Sequence, residues 1–174
     1  MKDNFMNIRK ETPKDYDAVY DLVKQAFATA EHSDGAEQDL VIALRGSSAF
    51  IPELSLVAEL NGEIVGYILF TIAFVNNKKV LALAPLAVKP KYQKKGIGSQ
   101  LVQEGHRIAT NLGYGYSFVL GDNQYYSQFG YILAQNLGVN APLGIPSEYF
   151  MGIKLIETAE PISGDLVYVK EFGI

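Results

Sequence analysis

The chain has no cysteine and only two histidines, His32 and His106, among its 174 residues. Disulfides, thiolate metal sites and a cysteine nucleophile are excluded, and two isolated imidazoles do not make a metal centre. No stretch approaches the roughly 18 uncharged apolar residues of a membrane-spanning helix. The first residues, Met-Lys-Asp-Asn-Phe-Met-Asn, contain no apolar core of a secretory signal. No membrane partner is expected, and the composition fits a cytoplasmic chain. Excess positive charge is missing too. The net charge is −4, so bulk electrostatics gives no basis for nucleic-acid binding. Hydrophobic residues make up 48% and charged residues 20% of the sequence, a globular balance. The length suits a single domain over residues 1–174 with a sizeable core.

What the chain does have is a concentration. Lys89, Lys91, Lys94 and Lys95 crowd into one short loop that also holds Gly96 and Gly98. An apolar run of strand length, ending at Val88, precedes the loop. An amphipathic pattern comes after it, with Ile97, Leu101, Ile108 and Leu112 as its apolar positions and Gly113 as its stop. His106 falls between those positions and is expected to face solvent.

The rest of the chain organises around this unit. Residues 7–10 read as a first strand. Thr12, Pro13 and Asp15 open a helix whose apolar face is Val19, Leu22, Val23, Ala26, Phe27 and Ala30. A second helix over about 36–45 buries Leu40, Val41 and Leu44 and stops at Gly46. Strands are expected at 54–60, 63–75 and 79–88, joined by Asn61-Gly62 and Asn76-Asn77 turns. Pro85 cannot donate to a ladder, so its strand must bulge or part from a neighbour there. Residues 116–120 form a strand reached through a helical crossover and hence parallel to the 79–88 strand. Asp122 caps a short helix through Phe129. Further strands are expected at 131–134, 151–156 and 166–170, with a loop over 135–146.

A glycine-bearing turn at a helix start presents unpaired N–H groups and the positive end of the helix dipole to an anion. Gly96 and Gly98 let that anion approach the backbone, and Lys94, Lys95 and Ser99 add charge and a donor. A pyrophosphate suits such a cradle. The phosphate-loop pattern of nucleotide hydrolases fails, because the lysines precede the glycines. The dinucleotide fingerprint fails as well. Leu101 stands where its third glycine belongs, and the early strands form a meander rather than β-α-β units.

Gln93-Lys-Lys-Gly-Ile-Gly98 matches the Gln/Arg-x-x-Gly-x-Gly/Ala signature of the GNAT family of N-acetyltransferases. Leu54-Ser-Leu-Val-Ala-Glu, Leu83-Ala-Pro-Leu-Ala-Val, Val119-Leu-Gly-Asp and Tyr125-Tyr-Ser-Gln-Phe-Gly-Tyr131 resemble its bacterial YhbS-like branch. The resemblance runs from Ile8 to about Phe172. It implies an α/β (α+β) GNAT acyl-CoA N-acyltransferase fold. That fold is a mixed, mostly antiparallel sheet with flanking helices and splayed fourth and fifth strands.

By the same resemblance, acetyl-CoA is the co-substrate and Gln93, Lys94, Lys95, Gly96, Ile97, Gly98 and Ser99 hold its pyrophosphate. The pantetheine arm lies along Leu86, Ala87 and Val88, and an amide near Leu86 is the oxyanion donor. Tyr126 takes the place of the general acid that reprotonates the CoA thiolate, while Tyr125, Phe129 and Tyr131 read as packing aromatics. The implied reaction is direct acetyl transfer to an amine, small-molecule or peptide, and a homodimer is an assembly the family allows.

Two departures are visible. Tyr131 comes after Gly130 where the family usually has Phe. The fourth strand also carries no carboxylate to serve as base. Glu31, Asp34 and Glu37, between the first two helices, are the acids left to bind or deprotonate the amine. His32 shares their turn. The missing base also keeps open a non-catalytic acyl-CoA-binding or sensing domain.

Overall fold

The computed structural model describes residues 6–30 and 33–174. β1 (Met6–Lys10) leads through one 3-10 turn into α1 (Tyr16–Phe27). Thr12 N–H donates to Asp15 Oδ2 and Asp15 N–H donates to Thr12 O, both at 2.8 Å, so the two residues close the turn reciprocally. Arg9 bonds the same carboxylate at 2.8 and 3.0 Å, which holds Asp15 down at about 2. α2 (Glu37–Arg45) comes next and ends at Gly46.

β2 (Phe50–Leu60), β3 (Glu63–Val75) and β4 (Lys78–Val88) form the meander. Its two turns place Asn61, Gly62, Asn76 and Asn77 at φ of 51°, 85°, 48° and 65°, the left-handed region these residues tolerate. β2 starts earlier than the expected Leu54. Its first residues, around Pro52, pair out of step, with Phe50 opposite Thr71 but Ser55 opposite Leu69.

α3 (Ile97–Asn111) crosses to β5 (Tyr116–Leu120), which lies parallel to β4. α4 (Asn123–Ser127), β6 (Ile132–Leu133), β7 (Val139–Asn140), β8 (Phe150–Lys154) and β9 (Gly164–Val167) complete the order. The expected loop over 135–146 therefore contains a short strand. The main sheet runs β1-β2-β3-β4-β5-β8-β6, with β9 beside the end of β3 and β7 beside β9.

A bulge at Pro85 redirects the second half of β4. Ile68 faces Leu86 and Phe70 faces Leu83, so Ala84 and Pro85 together oppose Leu69 alone. The Ala84–Pro85 peptide is cis. The extra residue shifts the strand's alternation by one. Leu81 and Leu83 before it, and Leu86 and Val88 after it, all pack on the α3 face, whereas Ala87 is buried against α1 and α2. Pairing of β4 with β5 ends at Leu83 and Val119. The two strands splay beyond that point.

The α3 face of the sheet is closed by Ile97, Leu101, Val102 and Ala109. Gly105 brings α3 down onto Phe70, for a Cβ there would lie 2.2 Å from Phe70 Cε2. This contact line differs from the expected apolar stripe. Leu112 is 45% exposed, and His106 turns inward rather than to solvent. The helix ends in a Schellman arrangement, with Tyr114 N–H on Ala109 O and Gly113 N–H on Thr110 O, and Gly113 at φ 92°. The opposite face packs Val57, Tyr67 and Leu69 against Val19, Leu22, Val23, Val41 and Leu44.

Candidate active site

A cleft of about 520 Å³ opens where β4 and β5 part. Leu86 and Val88 form one wall, Gln93, Lys94, Gly96, Ile97, Gly98 and Ser99 the α3 end, and Tyr92, Tyr125, Tyr126 and Gln128 the remainder. The lining contains no carboxylate and no imidazole among the described residues.

The α3 end is rich in donors. Lys94 and Gly96 take φ of 63° and 87°, so left-handed residues alternate through the loop and turn successive amides to one side. The first helical bond runs from Gln100 N–H to Gly96 O. Among the described residues, no backbone or side-chain acceptor takes the six amides of residues 94–99. Together with the positive end of a 15-residue helix, they form a cradle built for an anion.

The lysines divide by role. Lys89 is held by Glu63 at 2.7 Å, and Tyr92 donates to the same carboxylate at 3.1 Å. Lys89 holds the Glu63 carboxyl below its usual range. The ammonium groups of Lys91 and Lys95 stand 5.0 and 5.9 Å from the Tyr92 ring centroid. Lys95 borders a neighbouring hollow with Tyr92 and Gln100, not the cleft itself. Lys94 lines the cleft and has no carboxylate partner among the described residues.

Lys89 N–H donates to Val65 O, so the ladder alternates such that the peptide groups of Leu86 and Val88 turn away from β3, toward the splay. Gln93 Nε2 donates to Val88 O at 3.0 Å and ties the loop to the strand end. Ala87, expected along the cofactor arm, is turned the other way: its peptide groups face Tyr67 of β3, its side chain is buried against α1 and α2, and it does not line the cleft.

Two tyrosines close the cleft from α4, whose Asp122 cap accepts from Gln124 N–H. The expectation for Tyr125 is packing material. Its ring does pack edge-on against Tyr126 and Phe129, and in addition its hydroxyl lies against Gly98, where an added Cβ would stand 2.5 Å from it. The Tyr126 ring packs edge-on to Tyr125 and Tyr131, at 5.0 and 5.7 Å, and over Gly121. Its hydroxyl makes no hydrogen bond to any described residue. Burial, with a smaller contribution from Tyr125, pushes its pKa up, so it keeps its proton at any physiological pH.

The acids between α1 and α2 are placed differently. Asp34 Oδ1 accepts from Ala36 N–H, Glu37 Oε1 accepts from Ser33 Oγ at 2.7 Å, and neither lines the cleft. Glu31 and His32 lie outside the described residues. Tyr92, Tyr125 and Gln128 are cleft residues that sequence reasoning did not assign. Only the position of Tyr125 beside Tyr126 could have hinted at one of them.

A model of the acetyltransferase (GNAT) family matches residues 16–131. The uncharacterized N-acetyltransferase YjhQ of Escherichia coli K12 is 39% identical over 118 residues, 65% of this chain and 65% of its own length. YhbS of the same strain is 38% identical over 132 residues, 74% of this chain and 75% of its own. The crystal structure of Escherichia coli YhbS in complex with CoA superposes with a TM-score of 0.90 at 29% identity, over 100% of this chain and 95% of that one. A GNAT acetyltransferase from Brucella melitensis in complex with acetyl-CoA superposes with a TM-score of 0.82 at 30% identity, over 98% and 99% of the two chains.

Proposed function

The chain belongs to the acetyltransferase (GNAT) family, and on that premise we propose that it transfers the acetyl group of acetyl-CoA directly to an amine. The observation that carries this reading is the row of six unpaired amides over residues 94–99, opening onto the cleft beside the free edge of β4. The donor set fits the co-substrate. A pyrophosphate would take the amides of residues 94–99 with Lys94 and Ser99. An extended amide-bearing arm would pair with the peptide groups of Leu86 and Val88 as an added strand does. When bound, acetyl-CoA supplies an activated thioester.

The chain's own groups then have distinct tasks. The Leu86 N–H, turned into the splay, is the donor for a carbonyl oxygen gaining negative charge. Tyr126 holds a proton for the departing thiolate. Unperturbed values are about 10 for tyrosine and about 8.5 for a thiol, so the transfer is mildly uphill in water. Burial raises the tyrosine further, and burial of the thiol beside it acts in the same direction. With no base in the described lining, the amine either enters neutral or first gives a proton to one of the candidate acids of the α1–α2 segment, Glu31, Asp34 and Glu37. The further proton that the nitrogen loses as the amide forms returns to the Tyr126 phenolate left by protonation of the thiolate.

Replacing Tyr126 with Phe is the test. General acids contribute typically 10²–10⁴-fold, so kcat should fall at least about tenfold while the affinity for CoA stays within about twofold. Unchanged turnover at saturating substrate refutes the acid role. The carboxylate-free lining favours a second reading, an acyl-CoA-binding domain without catalysis. Thiol release from acetyl-CoA with any one amine excludes it.

A further inference from the structure

Beneath the cleft lies a buried polar chain that the proposed chemistry does not use. Tyr131 Oη is bonded on two sides, to His106 Nε2 of α3 at 3.0 Å and to Ser117 Oγ of β5 at 2.9 Å. Tyr131 is 1% exposed and Ser117 fully buried, so each hydroxyl depends on the others for its partner. His106 is carried there by the close seat of Gly105 on Phe70, and its ring stands 6.0 Å from Phe70 and 5.4 Å from Tyr131.

The consequence falls on Tyr126. Its hydroxyl has no protein hydrogen bond among the described residues, so packing of its ring, on Gly121 and on the neighbouring aromatics, sets its place. Tyr125 sits with it on the five-residue α4 and Phe129 lies just beyond, so both belong to the same short segment as Tyr126 itself. Tyr131 is different. It meets the Tyr126 ring at 76° and 5.7 Å, and it is pinned by hydrogen bonds to α3 and β5. With the backbone of Gly121, whose N–H is bonded to Tyr149 O, it is a wall of Tyr126 that is tied to the body of the fold, and it is the one held there by side-chain hydrogen bonds.

We propose that His106, Tyr131 and Ser117 form a positioning device that fixes the Tyr126 hydroxyl at the cleft. The proposal rests on the reading of Tyr126 as the general acid. His106 acts through Tyr131 and touches no substrate. Small displacements of a reacting group have large kinetic effects, which is why removing one buried hydroxyl should be visible in turnover.

The test is a double-mutant comparison. Thiol release from acetyl-CoA is monitored with the fastest acceptor among spermidine, tyramine, glucosamine and an alanyl peptide. The wild-type chain, Tyr131→Phe, Tyr126→Phe and the double variant are compared, with CoA affinity measured by calorimetry. Tyr131→Phe should lower kcat about fivefold to tenfold with the KM for acetyl-CoA within about twofold, and it should have no further effect in the Tyr126→Phe background. His106→Gln, which keeps a polar atom near the Nε2 position, should retain more activity than His106→Leu. That pair carries the comparison if Tyr131→Phe does not fold.

An equal loss in both backgrounds, or no loss from Tyr131→Phe, overturns the positioning role and leaves the acid role standing. A silent Tyr126→Phe, or no thiol release from the wild-type chain with any of these amines, overturns the underlying reading and this proposal with it.

Discussion

Gly98→Ala separates cofactor binding from folding. The new Cβ would stand 2.5 Å from Tyr125 Oη and 3.8 Å from Val88 Cγ2. The first contact is too close to persist. The atom in the way, however, is the far end of a half-buried side chain on a short helix at the cleft mouth. Tyr125 can swing aside, giving up edge contacts to Tyr126 and Phe129 worth about 0.5–1.5 kcal/mol each. Replacing a helical glycine by alanine returns up to about 1 kcal/mol. The net loss is therefore at most about 2 kcal/mol, and at about 2–4 °C per kcal/mol the melting temperature should fall by less than about 8 °C.

Binding should respond differently. The methyl group would stand among the amides of residues 94–99 and hold a phosphate away from one or two of them. A hydrogen bond to a charged group is worth about 1.5–3 kcal/mol, and 1.4 kcal/mol is tenfold in affinity. Calorimetry with CoA should therefore give a Kd raised about 10- to 100-fold. A Kd within about twofold of the wild type refutes the assignment of the α3 start as the pyrophosphate cradle. Gly105→Ala, farther along the same helix, should show the reverse. Its Cβ would lie 2.2 Å from Phe70 Cε2, and Phe70 is fully buried with nowhere to go. Overpacking of this kind costs about 1–3 kcal/mol. At about 2–4 °C per kcal/mol the melting temperature should fall by several degrees, with CoA affinity unchanged.

Other consequences can be measured on the free protein. Burial pushes the His106 imidazole down to about 4 from an ordinary 6.5. Between those values the unfolded chain binds a proton that the folded chain does not, so stability rises with pH across that window and is lost on acidification through it. Urea unfolding from pH 7 to pH 4 should show this loss, and His106→Gln should flatten it; an identical pH profile in the variant counts against a buried neutral imidazole. Arg45 bonds Glu11 through two nitrogens at 2.8 Å, and that carboxylate, 3% exposed at its side chain, also accepts from Ser55 Oγ. Arg45→Met strands the charge and should cost about 3–5 kcal/mol. Glu11→Gln added to it should recover part of the loss. A cost below about 1 kcal/mol for Arg45→Met means that the pair is not holding β1, α2 and β2 together.

The turns and helix ends were legible because their residues carry the geometry themselves. Asn61-Gly62 and Asn76-Asn77 are tolerant of positive φ, and β3 fills the interval between them as expected. Pro85 announced a break in its ladder, and the observed bulge lies there. The face of α3 was less legible. Counting large apolar side chains selects Ile97, Leu101, Ile108 and Leu112, of which the first three do pack on the core, but the helix seats on the sheet through Gly105, whose backbone meets Phe70, and through the buried Ala109. Small residues at a tight contact are invisible to such a count. The helix is consequently rotated from the expected stripe, which exposes Leu112 and carries His106 inward. Tyr125 packs on Tyr126 and Phe129 as expected, but its place at the cleft was not legible, for a related reason. Its place depends on how α4 faces α3 across the splay, a relation between distant segments that no local period encodes. The setting of Asp34 and Glu37 was not legible either: one oxygen of each accepts from a donor of its own loop, Ala36 N–H and Ser33 Oγ, and neither side chain lines the cleft.

The bulge in β4 explains why the anion cradle and the tyrosines face one space. Without the extra residue at Ala84–Pro85, strict alternation from Leu81 and Leu83 would turn Ala87, not Leu86 and Val88, toward α3. With it, the peptide groups of Leu86 and Val88 point into the splay while their side chains floor the cleft below the α3 start. The end of β4–β5 pairing at Leu83 and Val119 then lets the chain after β5 turn through Gly121, over which the Tyr126 ring lies. A cofactor arm along the free edge of β4 and a proton donor held over Gly121 thus arise from one register shift. That shift sets binding and chemistry at once, whereas Gly98 and Tyr126 each affect only one of them. Variants that abolish the bulge should accordingly lose CoA affinity and turnover together, a signature distinct from that of either single-site change.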